Sequence, residues 1–68
     1  MNILDWRILY RDQLDQDRTS RSVPSKEAAL KLASYLYHMQ RAELYRIEGP
    51  GDQALPKGEI MRWMSANK

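Results

Sequence analysis

The chain has 68 residues, room for one domain and not for two. It contains no cysteine, so disulfides and thiolate metal sites are excluded, and so short a chain leaves few residues to wall a deep catalytic cavity. A net charge of +2, with 43% apolar and 29% charged residues, suits a folded domain and is too slight to imply a polyanionic partner by itself.

The first residues, Met1 to Arg7, lack a basic stretch followed by an apolar core, so a secretory leader is not expected. No apolar run approaches the roughly 18 residues of a membrane span. The chain is therefore expected to be complete from its own Met1 and cytoplasmic, with no membrane partner.

Residues 3–11 are expected to form a strand, because Leu4, Trp6, Ile8 and Tyr10 alternate with Asp5, Arg7, Leu9 and Arg11. Residues 12–22 are polar apart from Leu14 and read as a solvated loop. The end of that loop, Thr19 to Val23, is compatible with a short edge strand pairing back on the first. Val23 precedes Pro24 and so favours an extended lead-in.

Ser25 then offers a side-chain oxygen to the first free N–H groups of a helix, and Glu27 suits the positive end of the helix dipole. Ala29, Leu32, Ala33, Leu36 and Met39 or Gln40 recur at helical spacing, which predicts an amphipathic helix from Ser25 to about Gln40. Lys31, Ser34 and His38 fall on its polar side, and Tyr35 and Tyr37 flank the stripe.

Ala42 to Glu48 reads as a strand. Gly49, Pro50, Gly51 and Asp52 suit a type II turn, with Pro second and Gly supplying positive φ at the third position. Leu55 to Gly58 reads as a further turn, Glu59 to Met64 as the last strand, and Ser65 to Lys68 as a frayed tail. The expected fold is therefore a two-layer α+β domain spanning residues 1–68. One amphipathic helix lies on a three- or four-stranded, mainly antiparallel sheet, in the order β-(β)-α-β-β.

One helix covers one face of a sheet. Burying the large side chains places Trp6, Ile8, Tyr10, Tyr45, Ile47, Met61 and Trp63 under it. The opposite face would then carry Arg7, Leu9, Arg11, Leu44, Arg46, Ile60, Arg62 and Met64, arginines among aliphatic side chains. Such a mixture suits a binding face, since Arg is enriched at interfaces and forks onto carboxylate or phosphate. Scattered apolar residues on a solvated sheet are also ordinary, so both readings stand.

No residue set points to catalysis. His38 is the only histidine and reads as a surface residue without partner ligands. Asp12, Asp15 and Asp17 lack the Gly and the closing Glu of a calcium loop. Gly49, Gly51 and Gly58 with Lys57 are better explained as turns than as a phosphate loop, because Lys precedes Gly and a strand is expected to follow. Trp6, Trp63 and the tyrosines read as core rather than as a base-stacking platform. No cofactor, metal or catalytic residue is expected.

Trp6, the run Ser25, Lys26, Glu27, Ala28 and Ala29, the pair Leu32 and Ala33, and the strand Glu43 to Glu48 form a pattern covering most of the chain. In it the chain resembles small bacterial ββαββ domains of unknown function, departing from them in the long segment from Gly49 to Gly58. The resemblance implies a fold and no activity. The expected function is a non-enzymatic protein-interaction or self-associating module, a homodimer being one form. The alternative is a nucleic-acid binder using Arg7, Arg11, Arg46 and Arg62, with Arg18 and Arg21 nearby.

Overall fold

The computed structural model describes residues 5–67. Ile3 and Leu4, at the expected start of the first strand, and Lys68, at the end of the expected tail, lie outside the described residues. In chain order the elements are β1 (Arg7–Arg11), β2 (Asp17–Thr19), α1 (Lys26–Met39), β3 (Glu43–Glu48), β4 (Ala54–Pro56) and α2 (Lys57–Ala66). The four strands make one antiparallel sheet in the order β2-β1-β3-β4, the expected α+β class.

β1 obeys its alternation. Trp6 and Ile8 are buried and Tyr10 packs against them, while Arg7 and Arg11 are exposed and Leu9 is half-buried. The edge strand exists, but it is centred on Asp17–Thr19, earlier than Thr19 to Val23. Pairing then continues irregularly: Ile8 N–H donates to Ser20 Oγ at 2.9 Å, and Trp6 and Val23 exchange two backbone bonds of 2.9 Å.

α1 forms where its signals predict. Ser25 Oγ accepts from Ala28 N–H at 3.1 Å, and Glu27 lies in the first turn. At the other end Arg41 takes a left-handed φ of 54°, which lets Ala42 N–H reach back to the Leu36 carbonyl at 3.0 Å. The buried stripe differs from the expected one. Ala29, Leu30, Ala33 and Leu36 are buried, Leu32 is only half-buried, and Met39 and Gln40 are exposed. The interior extends toward Leu30 because a second helix lies on that side.

That helix is α2. Glu59 to Met64 is not a strand, and Leu55 to Gly58 is not a turn: Ala54–Pro56 is β4, and the helix starts at Lys57. The physical reason is legible in the side chains. Ile60 and Met64 are four apart and lie on one helix face, both buried, with Met61 and Trp63 packed at its margins. A strand would have split these apolar residues between two faces. Glu59 and Arg62, three apart, form an ion pair on the outer side.

β3 carries a second departure. The register with β1 shifts between Leu9 and Tyr10, so that Leu9 faces Arg46 while Tyr10 faces Leu44. Tyr45 is the extra residue of this β-bulge, and the alternation changes phase across it. Leu44 and Ile47 therefore both point into the core, and Tyr45 points away.

The β3–β4 turn closes one residue later than expected, with the Pro50 carbonyl accepting from Gln53 N–H at 3.3 Å. Gly51 supplies the positive φ, 65°, in its second position. Just before it, Gly49 lies beneath the Trp6 indole; a Cβ there would meet ring atoms at 2.5–2.8 Å. Both helices share one face of the sheet, and Ile8, Leu44, Ile47 and Ile60 form the fully buried centre.

Candidate functional site

The sheet face opposite the helices is the surface that the fold leaves uncovered among the described residues. β1 sends Arg7, Leu9 and Arg11 to it because Trp6, Ile8 and Tyr10 are committed to the core. The bulge sends Tyr45 and Arg46 to it together. Register adds Asp17 and Thr19 from β2, Glu43 and Glu48 from β3, and Ala54 and Pro56 from β4.

Of the eight residues expected on this face, the structure brings together Arg7, Leu9, Arg11 and Arg46. It corrects the other four. Leu44 is 1% exposed, turned inward by the bulge; Ile60 is 0% and Met64 8% exposed, because they form the inner face of α2. Arg62 is exposed, but on the outer side of α2, in the helical layer. It rims a groove of about 290 Å3 whose apolar residues include Leu30, Leu55 and Trp63. Tyr45, expected under the helix, lies on the open face instead. A period-2 register with Ala42 and Leu44 inward would place Tyr45 there, but no single register buries both Leu44 and Ile47, because one inserted residue reverses every position beyond it.

The charges of the open face are already organised. Arg11 Nε lies 3.3 Å from Asp17 Oδ1, and the Tyr45 hydroxyl donates to the same oxygen at 2.9 Å. This trio spans three strands. The bond to Asp17 favours the protonated phenol and the charged guanidinium, so Tyr45 and Arg11 both titrate above their ordinary values. Arg46 Nε pairs with Glu48 Oε2 at 3.0 Å. Three arginines, Arg7, Arg11 and Arg46, share the face with three carboxylates, Asp17, Glu43 and Glu48, so the face is balanced in charge. Across its middle run Thr19, Leu9, Arg46 and Pro56, a row whose apolar surface is flanked by the charged rows.

The other candidates for chemistry stay apart. His38 is exposed, with its ring edge-on to Tyr37 at 5.1 Å between centroids. Asp12 works inside its own loop: its Oδ1 accepts from Leu14 N–H at 2.8 Å and Gln16 N–H at 3.0 Å, and its Oδ2 pairs with Arg18. The Gln16 bond leads in holding this carboxyl below its ordinary value, with Arg18 and Leu14 adding to it against the cost of desolvation. Gly49 and Gly51 belong to the β3–β4 turn while Lys57 and Gly58 open α2, so they do not line one loop. Among the described residues, no group of three or more His, Asp or Glu side chains is placed to hold a metal ion, and no helix is long and apolar enough to cross a membrane.

This face can therefore do what a pre-paired, partly apolar surface does, which is to bury its centre against a complementary surface while its rim stays hydrated. Comparison with protein-family models, curated proteins and solved structures found no match, so the geometry of the chain itself carries the functional reading.

Proposed function

We infer that the chain is a small non-enzymatic interaction module that binds protein through its open sheet face. The single observation behind this reading is the composition of that face: Leu9 and Tyr45, both half-buried, sit among arginines and carboxylates in equal number. A face that carries both signs within each charged row is suited to meeting a copy of itself about a two-fold axis, where arginines of one copy oppose carboxylates of the other. A homodimer is accordingly the first form to test.

A nucleic-acid face is the weaker reading. Phosphate binding needs guanidinium groups available for backbone contacts, whereas Arg11 and Arg46 are engaged with carboxylates and Asp17, Glu43 and Glu48 would face the same polyanion.

The test is amide-shift mapping during dilution from about 1 mM, where a joint of millimolar strength is appreciably formed. The expected shifts cluster at Leu9, Thr19, Tyr45 and Arg46, and vanish in Leu9→Lys. A Leu9→Lys variant that keeps the sheet-face shifts on dilution would overturn the reading. So would shifts confined to the helical layer.

A further inference from the structure

α1 is flanked by two grooves in the helical layer, and they differ in charge. On the Leu30 side the groove against α2 contains its own ion pair, Glu59 with Arg62. On the Leu32 side, away from α2, a wider groove of about 680 Å3 opens between α1 and the connection leading into it. Val23, Pro24 and Leu32 give it apolar surface, and Tyr35, 51% exposed, stands at its wall. Arg21 and Lys31 line it, no carboxylate does, and among the described residues neither cation has an ion-pair partner.

The β1–β2 hairpin presents the complementary shape. Leu14 at its tip is 73% exposed, the most exposed of the large apolar side chains among the described residues. Its presentation is fixed rather than loose. Asp12 Oδ1 holds the N–H groups of Leu14 and Gln16, Asp15 N–H donates to the Asp12 carbonyl at 3.1 Å, and Asp15 takes a left-handed φ of 61°. Asp12 is paired with Arg18 and Asp17 with Arg11. Asp15, beside Leu14, has no cation partner among the described residues.

We propose that the Leu14–Asp15 tip of one copy docks into the Arg21–Lys31 groove of another. The leucine covers the Val23–Leu32 floor, and the Asp15 carboxylate meets the two cations. The tip packs beside Gln40 and Ala42, past the end of α1, whereas the groove lies against residues 28–35 of that helix. A copy therefore does not reach its own groove, and the contact is head-to-tail, a heterologous arrangement that continues from copy to copy. The surface is far smaller than the roughly 1,200 Å2 of a stable complex, so the joint is weak and concentration-dependent. It is independent of the open sheet face.

The test uses two variants, Leu14→Ser, which removes the apolar tip without adding charge, and Lys31→Glu, which disables the groove. Both positions are exposed, and circular dichroism checks that each variant folds as the parent does. In sedimentation at low salt, with Leu9→Lys in every chain so that the open sheet face is silent, the parent is expected to gain mass with concentration and each variant alone to associate at least about tenfold more weakly, the scale for losing a buried leucine or a charged contact. An equimolar mixture of the two is expected to form a one-to-one dimer, because one variant retains the groove and the other the tip. Leu9→Lys is expected to leave this joint intact. A parent that stays monomeric to about 1 mM overturns the proposal. So does a mixture that fails to pair while the parent associates, which marks a symmetric interface. Binding of a synthetic acidic, leucine-containing peptide in the groove of a monomeric parent would assign the groove to a foreign partner instead.

Discussion

The two helices lie side by side on one sheet face but are held by different means. α1 is closed locally at both ends, by Ser25 at the start and by the left-handed Arg41 with the Ala42 N–H at the finish. α2 has Pro56 at its N-cap and no side-chain cap bond there. It begins directly from β4 and is fixed chiefly by burying Ile60 and Met64. A helix of 10 residues is too short to persist without such packing. α1 thus has a local cap at both ends, whereas α2 is capped only at its C-terminus, where Asn67 N–H and Nδ2 donate to the Trp63 carbonyl at 3.0 and 2.8 Å, and it leans more heavily on packing.

The largest effect should come from removing the packing that α2 relies on. Ile60→Ala is expected to cost about 2–5 kcal/mol, the range for deleting a fully buried aliphatic side chain. Chemical denaturation measures the loss, and amide exchange should accelerate more across Lys57–Ala66 than across α1. Equal acceleration in both helices would break the contrast.

Ser25→Ala removes the local support of α1 and should cost about 1 kcal/mol. Ser25→Asp should restore most of it, since Asp caps as well. Supplying α2 with the support it lacks should work in the opposite direction. Pro56→Ser places a hydroxyl at its N-cap, where φ is −69° and ψ 165°, and is expected to stabilise by about 0.5–1 kcal/mol. The smallest change is Arg41→Gly, which relieves a left-handed non-glycine residue and should add about 0.5 kcal/mol, read as a small rise in the denaturation midpoint.

The same contrast explains which parts of the fold were legible in the sequence. α1 announces itself through Ser25, Glu27 and its alanine-leucine stripe, each a signal within a few residues. β1 is equally plain in the alternation of Trp6, Ile8 and Tyr10. For α2 a signal was present: Ile60, Trp63 and Met64 are spaced for one helix face, and the strand reading had to leave apolar side chains on both faces. The bulge at Tyr45 had no such signal. It depends on how β3 meets β1, a pairing between residues more than 30 positions apart, and it decides whether Leu44 or Tyr45 reaches the open face. Half of the expected surface followed from β1 and Arg46, and the rest failed at these two places.

Trp6 and Trp63 divide along the same line. Trp6 is clamped over Gly49 at the closure of the sheet, whereas Trp63 is half-buried on α2. The chain has no other tryptophan, so each indole is an optical reporter for one part of the molecule. With Trp63→Phe the emission follows the sheet, and with Trp6→Phe it follows the last helix. A temperature at which the second signal moves before the first would reveal α2 lifting from a sheet that is still intact.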